Sequence, residues 1–257
     1  MSQPTPDPEQ LRLALRSLNE VALRQMQQGD FPKAVKYLTE GLKLVDTIGA
    51  DDPDCLTLYS NLAGALKGAG RLDEAIQMQE STLEKMNEKL GPDHLATLAL
   101  RNNLGESHRA AGHTAKALAI HFNVLAKRKE LQGPQHHDTL ISMSNLAQAY
   151  LANGQIAEAV AMQEEAVVLM QDTLGPGHPD AVQGLHTVGV MYFAEGSYDD
   201  ALRWLEDVLA CRRETLGNSH PLTLAVLADL IAVKRKTLGP SHPDTVALVT
   251  ELLSLSK

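Results

Sequence analysis

Apolar residues recur at steps of three and four along most of the chain, a period that predicts amphipathic helices rather than strands. Within residues 139–153 the apolar positions are Leu140, Met143, Leu146, Ala147 and Tyr150. A second helix is predicted from Ile156 to Thr173. Gly154 lies between the two helices and can supply the left-handed residue that ends a helix at little cost. This stretch therefore predicts two helices joined by a short glycine turn.

The helix pair recurs every 42 residues. Three residue types keep this register: Gly70, Gly112, Gly154 and Gly196; Ala75, Ala117, Ala159 and Ala201; and His94, His136, His178 and His220. An earlier unit contains Gly29, 41 positions before Gly70. Agreement among several residue types indicates an internal structural repeat. We place five repeats near 11–50, 51–92, 93–134, 135–176 and 177–218, a truncated sixth over 219–257, and a disordered tail over 1–10.

The last unit is shorter than the others. Gly217 and Gly239 hold equivalent linker positions only 22 residues apart, so 42 − 22 = 20 residues of a full unit are missing. The missing part includes the glycine turn between the two helices. We therefore predict one continuous helix over 222–237 and another over 244–255, together in the place of a sixth pair.

A single helix pair cannot bury its apolar stripe, so consecutive pairs must stack on one another. Small residues such as Gly105 and Gly189 allow the paired helices to approach closely, and Leu104 and Leu146 fill the seam between them. Each buried aliphatic side chain of this kind contributes about 1.5–3 kcal/mol. The pattern predicts an all-α fold of about 12 helices, arranged as a single solenoid over residues 11–257.

One repeat carries the motif Asn145-Leu146-Ala147, Tyr150, Gly154 and Glu158-Ala159, and it ends in a linker that runs from Leu174 to Pro179. This motif resembles the tetratricopeptide repeat of kinesin light chains and nephrocystin-like proteins, which has a 42-residue unit and a Leu-Gly-Pro-x-His-Pro linker. The resemblance covers residues 11–245 and implies a right-handed superhelical solenoid that binds peptides. The chain departs from the family where a ring is often found in the second helix, because Gln79, His121 and Gln163 stand there.

The resemblance implies that the first helix of each pair lines an inner groove. The polar residues that we place in the groove are Asn61, Lys67, Asn102, Asn103, Arg109, Asn145, Gln148 and His186. Asparagine offers both a donor and an acceptor to the backbone of an extended peptide, and Lys67 and Arg109 can pair with an acidic side chain or a terminal carboxylate. The alternative is structural: the asparagines bond to adjacent helices, and the cations only complement the helix ends.

The composition limits the classes of partner. The formal net charge is −9 and the isoelectric point is about 5.5, without a long basic tract, so nucleic acid is not expected as a partner. No apolar run approaches the roughly 20 residues that span a bilayer, so membrane insertion is not expected either. Cys55 and Cys211 lie far apart in a stacked array and are expected to be free thiols. These features predict a cytoplasmic protein.

Catalytic chemistry has no motif in this chain. We find no glycine-rich phosphate loop, nucleophile elbow or HExxH sequence, and we expect neither enzymatic activity nor a cofactor. The repeated histidines suggest metal binding at first sight. One histidine per repeat cannot build a tetrahedral site, however, so we expect no metal. We expect each histidine to bond to the neighbouring backbone of its loop instead.

The last predicted helix is apolar on more than one side. Val246, Val249 and Leu253 form one stripe, while a second stripe consists of Leu248, Leu252 and Leu255. Because a terminal solenoid helix needs a polar outer face, the pattern predicts self-association or docking through residues 244–255, including a homodimer. The alternative is that the truncated sixth repeat leaves additional core for this helix to cover.

Two functions remain after these exclusions. The first is an adaptor or scaffold that binds an extended peptide of a partner protein, in particular an acidic one, in its concave groove. The second is a structural subunit that assembles through its convex face or its last helix. Alanine at Asn103 and Arg109 should abolish the first function, and Leu252→Asp should disrupt the second.

Overall fold

The computed structural model describes residues 7–255, which form twelve helices and no strand. The first six are α1 (Pro8–Gln27), α2 (Phe31–Ile48), α3 (Pro53–Gly68), α4 (Leu72–Leu90), α5 (Leu95–Ala110) and α6 (Thr114–Gln132). The other six are α7 (His137–Ala152), α8 (Ile156–Leu174), α9 (Pro179–Glu195), α10 (Tyr198–Leu216), α11 (Pro221–Thr237) and α12 (Pro243–Leu255). Within this part of the chain, no helix is both long enough and apolar enough to cross a membrane.

The predicted all-α fold is confirmed, and the predicted helices lie close to their observed bounds. The pair expected at 139–153 and 156–173 is α7 and α8. The continuous helix expected at 222–237 is α11, and the last helix expected at 244–255 is α12. At the other end, α1 already begins at Pro8, so residues 8–10 of the expected disordered tail are helical. Residues 1–6 of that tail lie outside the described residues.

The chain divides into two compact units between Leu131 and Gln132. In the first unit, α1 packs on α2 and α3, and α3 packs on α4 and α5. In the second unit, each helix from α7 to α11 packs on the next one along the chain. A single solenoid over residues 11–257 stays a prediction.

Each unit has its own apolar core. The fully buried large side chains of the first unit are Leu15, Leu38, Leu58, Met86, Leu98 and Leu100. Those of the second unit are Leu140, Met143, Leu146, Met170, Met191 and Leu205. The helices pack closely in both units: a Cβ atom added at Gly41 would lie 2.8 Å from Leu58 Cδ1, and one added at Gly189 would lie 2.8 Å from Leu205 Cγ. The small residues of the repeat therefore permit the helix spacing that the sequence predicted.

The repeated histidines begin the first helices of successive pairs. The Nδ1 atoms of His94, His136, His178, His220 and His242 accept a hydrogen bond from the backbone N–H two residues later, at 3.1–3.3 Å. Each bond satisfies one of the backbone donors that a helix N-terminus leaves open. The expectation that these histidines bond to neighbouring backbone is confirmed.

Candidate peptide-binding cleft

A cleft of about 220 Å³ lies between α3 and α5 in the first unit. Its lining residues are Ser60, Ala63, Gly64 and Lys67 of α3, and Asn103, Glu106 and Ser107 of α5. The periodicity of the two helices places these residues three or four apart, on one face of each helix. Small side chains at 63 and 64 keep the α3 wall low, so that an extended backbone can approach closely.

Two of the residues predicted for the groove, Lys67 and Asn103, line this cleft together. Lys67 lies in the last turn of α3 and is exposed. It forms no ion pair within 4.0 Å among the described residues that surround it. Its ammonium group is therefore available to a ligand at one end of the cleft.

Glu106 is the acidic residue in the wall of the cleft, and it is not among the residues predicted from the sequence. Burial raises the pKa of its carboxyl, but the close approach of His121 and the hydrogen bonds from Arg109 outweigh that effect and hold the pKa at about 2. Arg109 Nη2 donates to Oε2 at 2.8 Å and Nε donates to Oε1 at 3.1 Å. His121 Nε2 lies 3.3 Å from Oε1, with an alignment that falls short of a standard hydrogen bond. The spacing of three residues between Glu106 and Arg109 is the signal that could have revealed the pair.

Arg109 is committed to this pair rather than free in the cleft. Its guanidinium is only partly exposed, and the hydrogen bond to Glu106 raises its pKa. The two charges therefore compensate each other. Within the cleft, Lys67 is the cation without a carboxylate partner among the described residues, and Arg109 supports the site by orienting Glu106.

Asn61 and Asn102 have different surroundings. Asn61 Nδ2 donates to Asn19 Oδ1 at 3.2 Å, and Asn19 Nδ2 donates to the backbone oxygen of Asp54 at 3.4 Å. This bond links asparagines of consecutive repeats, as the structural alternative predicts. Asn102 is buried within α5. Neither residue lines the cleft, although both remain part of the predicted groove set.

The other predicted groove residues lie in the second unit. Asn145 and Gln148 are half-buried on α7, next to Ser144, which accepts a hydrogen bond of 3.3 Å from Gln163 Nε2. His186 on α9 is buried, and its Nε2 lies 2.7 Å from Asp229 Oδ2. His186 is thus engaged by another helix of the same unit.

In both units, buried polar side chains replace the rings usual in the second helices. Gln79, His121 and Gln163 are all fully buried. Gln163 Nε2 also lies 3.4 Å from the backbone oxygen of Gly184, and His121 faces Glu106. His121 and Gln163 thus bring polar groups of the second helices against the first helices.

Helix α12 presents only part of its predicted self-association surface. Val249 and Leu252 pack against the core of the second unit, whereas 48% of Val246 and 64% of Leu253 are exposed. Leu252→Asp therefore does not separate assembly from folding, because that change would also disturb the core. Leu253 is the exposed position that reports on assembly alone.

Within the described residues, no three histidine, cysteine, aspartate or glutamate side chains are grouped so that they could hold a metal ion. Both cysteines are free; Cys55 is buried and Cys211 is partly exposed.

Comparison with known proteins gives one family. The model of the tetratricopeptide repeat matches residues 13–88, 54–121, 123–172 and 138–214, more than half of the chain. A stretch of 75 residues is 35% identical to the Protein KINESIN LIGHT CHAIN-RELATED 2 of Arabidopsis thaliana. The stretch spans 29% of this chain and only 11% of that relative.

Solved structures agree with the predicted repeat subtype. The nearly identical TPR-like repeats assigned to a kinesin light chain of Podosopora anserina are 29% identical, with a TM-score of 0.64 over 82% of this chain and 98% of that chain. BtubC of P. vanneervenii is 19% identical, with a TM-score of 0.63 over 98% of this chain and 91% of that chain. The matches to the Arabidopsis thaliana and Podosopora anserina proteins confirm the predicted similarity to kinesin light chain repeats, and BtubC shows the same fold.

Proposed function

This chain belongs to the tetratricopeptide repeat family, whose members act as protein–protein interaction scaffolds, and we propose that it is an adaptor that holds an extended peptide of a partner protein in the cleft between α3 and α5. The observation that carries the proposal is the convergence of Lys67 and Asn103 on one cleft with low walls. Stacked helix repeats typically bind along such inner surfaces.

The shape of the cleft suits a main chain. Ala63 and Gly64 leave room for a ligand backbone, while Ser60, Asn103 and Ser107 offer donors and acceptors along its length. An extended peptide presents one N–H and one C=O per residue, and burial requires that these groups be paired. The polar wall residues supply partners of both kinds.

The charges of the cleft favour one arrangement of the ligand. Lys67 is free to pair with an acidic side chain of the peptide. Glu106 is ionised at neutral pH and accepts hydrogen bonds from backbone N–H groups or from a basic side chain. A ligand with an acidic residue at the Lys67 end therefore fits better than one with a basic residue there.

The experiment is a pull-down from native lysate, analysed by mass spectrometry. The baits are the wild-type chain, the double variant Lys67→Ala with Asn103→Ala, and a control with Lys36→Ala and Asn123→Ala. The control changes the same residue types at exposed positions of α2 and α6. Loss of one partner from the cleft variant alone supports the proposal. Recovery of the same partners by all three baits contradicts it.

Assembly through α12 is the second candidate, and the exposure of Val246 and Leu253 is the observation that favours it. In that case the chain is a fixed subunit or a homodimer, and substitutions in the cleft do not change its partners. The molar mass of wild type and of Leu253→Asp, measured by light scattering, separates this candidate from the first.

A further inference from the structure

The second unit contains a separate cavity of about 320 Å³, bounded by the start of α9, the end of α10 and the start of α11. Its wall is mainly apolar and includes Pro179, Val182, Leu216 and Leu222. Two of these side chains are unusually accessible, since 43% of Leu216 and 45% of Leu222 are exposed. The volume is at the lower end of the range for small-ligand sites, roughly 300–1,000 Å³.

A buried cation forms part of the same wall. Only 2% of Arg212 is exposed, and burial lowers the pKa of its guanidinium. Its Nη2 donates to Gln183 Oε1 at 2.7 Å, and its Nη1 donates to the backbone oxygen of Leu222 at 2.8 Å. Both acceptors belong to residues that also line the cavity, so the guanidinium lies next to its wall.

Arg212 has no direct carboxylate partner in the described part of the chain, although Asp229 acts on it from beyond His186. None of the carboxylates in the described residues lies within 4.0 Å of it, and its third close neighbour is His186 Nδ1, at 3.5 Å. Removing a charge from water is costly unless an opposite charge compensates for it. An anionic group bound in the cavity would supply that compensation.

We propose that this cavity binds the C-terminal residue of a polypeptide that ends in a branched aliphatic side chain, with its carboxylate on Arg212 and its side chain against Leu216 and Leu222. The guanidinium gives the charge complement and a planar set of donors that suits a carboxylate. The two half-exposed leucines give an apolar surface that the ligand would cover. This site lies on the second unit and does not depend on the cleft of the first.

One carboxylate already lines the cavity and must be taken into account. Asp180 Oδ2 lies 2.7 Å from His137 Nε2 and 3.7 Å from His178 Nδ1. His137 is the close partner of this carboxylate, because His178 Nδ1 already accepts a hydrogen bond from the backbone N–H of Asp180. With Asp180 engaged by His137, the guanidinium of Arg212 is the charge in the wall that a ligand would complement.

The test is a titration of the full chain carrying ¹³C-labelled leucine methyl groups, followed by NMR. N-acetyl-leucine represents the C-terminal residue of a peptide, and N-acetyl-leucinamide is the same molecule without the charge. We expect N-acetyl-leucine to shift the methyl signals of Leu216 and Leu222 and to bind at least about tenfold more tightly than the amide, a difference of about 1.4 kcal/mol.

Two variants complete the design. Arg212→Gln should abolish the preference for the acid, but it also removes the bonds to Gln183 and Leu222 and can lower stability. Leu216→Glu therefore blocks the cavity from an exposed position while Arg212 is kept. Leu131→Glu is the matched control, because Leu131 is also about half exposed near the end of a second helix. We expect Leu216→Glu to lose binding and Leu131→Glu to keep it.

Three outcomes would overturn the proposal. Equal binding of acid and amide would show that the carboxylate is not recognised. Unchanged shifts for both probes would show that the cavity does not take this residue. Binding of 4-methylpentanoate without binding of N-acetyl-leucine would assign the cavity to free carboxylic acids, since the preceding peptide bond would then not be tolerated.

Discussion

The imidazole of His121 on α6 lies directly against the backbone of Gly105 on α5, so closely that a Cβ atom at position 105 would lie 2.7 Å from Nε2. The same imidazole reaches Glu106, whose carboxylate forms a wall of the cleft. The glycine thus lets a buried polar side chain of the second helix contact a carboxylate that lines the cleft.

Gly105→Ala should destabilise the protein because the fully buried His121 ring cannot move aside cheaply. We expect a loss of about 1–2 kcal/mol, after the usual gain from replacing a helical glycine. Gly64→Ala is the matched control, since its new Cβ atom would meet only Met26 Cε, at 3.4 Å. The midpoint of urea unfolding should fall for the first variant and stay level or rise for the second. Equal midpoints for both would contradict the contact.

Glu106 should contribute to stability in a pH-dependent way. Its pKa falls from 4.5 to about 2 on folding, so its contribution is complete above pH 4.5 and is lost as the pH falls toward 2. Glu106→Gln should therefore unfold more easily than wild type at pH 7, by about 1–3 kcal/mol. The difference should shrink in urea titrations as the pH is lowered below 4.5. Glu84→Gln, at an exposed carboxylate of α4, should show no such trend.

The fold was predictable because the same local sequence signals recur in every repeat. Glycine turns, histidine caps and apolar periods each act within a few residues. The helices α7, α8, α11 and α12 could therefore be placed from the sequence to within about two residues. The early start of α1 escaped this reasoning, although Asp7 caps its N-terminus by accepting from Glu9 N at 3.1 Å.

The candidate site was only partly predictable. Lys67 and Asn103 hold different positions of successive repeats, but helical spacing puts each on the face of its helix that lines the cleft, and so they meet there. Whether a polar side chain is free or engaged depends on tertiary neighbours, and the sequence pattern does not contain that information. In the sequence, Arg109 and His186 are candidates of the same kind as Lys67. In the structure, however, Arg109 donates hydrogen bonds to Glu106, and His186 lies within hydrogen-bond distance of Asp229.

The two cysteines should differ in reactivity. Burial raises the pKa of the Cys55 thiol to about 12, with Asp52 and Asp54 acting in the same direction, so little thiolate is present at pH 8. Cys211 is partly exposed. Brief treatment of the native protein with iodoacetamide should label Cys211 and leave Cys55 unmodified, as read by peptide mass spectrometry. Both should react in urea, and labelling of Cys55 at the native rate of Cys211 would contradict its burial.

The histidine caps should be replaceable only by residues that keep the acceptor. His94 is exposed and its Nδ1 accepts from Ala96 N at 3.2 Å. His94→Ala should cost about 1 kcal/mol of unfolding free energy, whereas His94→Asn should cost little, because asparagine is among the best residues at this position. Thermal unfolding of the two variants measures the difference. Equal losses in both would mean that the imidazole acts through its packing and not as a cap.

Adjacent leucines of α12 should separate folding from assembly. Leu252 packs on the core of the second unit, so Leu252→Asp buries a charge and should cost several kcal/mol. Leu253 is exposed, so Leu253→Asp should change stability by less than about 0.5 kcal/mol. Urea unfolding of the two variants measures this contrast.

The same pair decides whether the exposed face of α12 is used. If the chain self-associates there, the mass from light scattering should rise with concentration for the wild type and stay at the monomer value for Leu253→Asp. The new carboxylate would have to lose its water inside the interface, whereas in the monomer it stays solvated. A wild type that remains monomeric at high concentration would contradict the homodimer hypothesis. Val246 and Leu253 would then be ordinary exposed side chains, since single apolar residues at a surface need no partner.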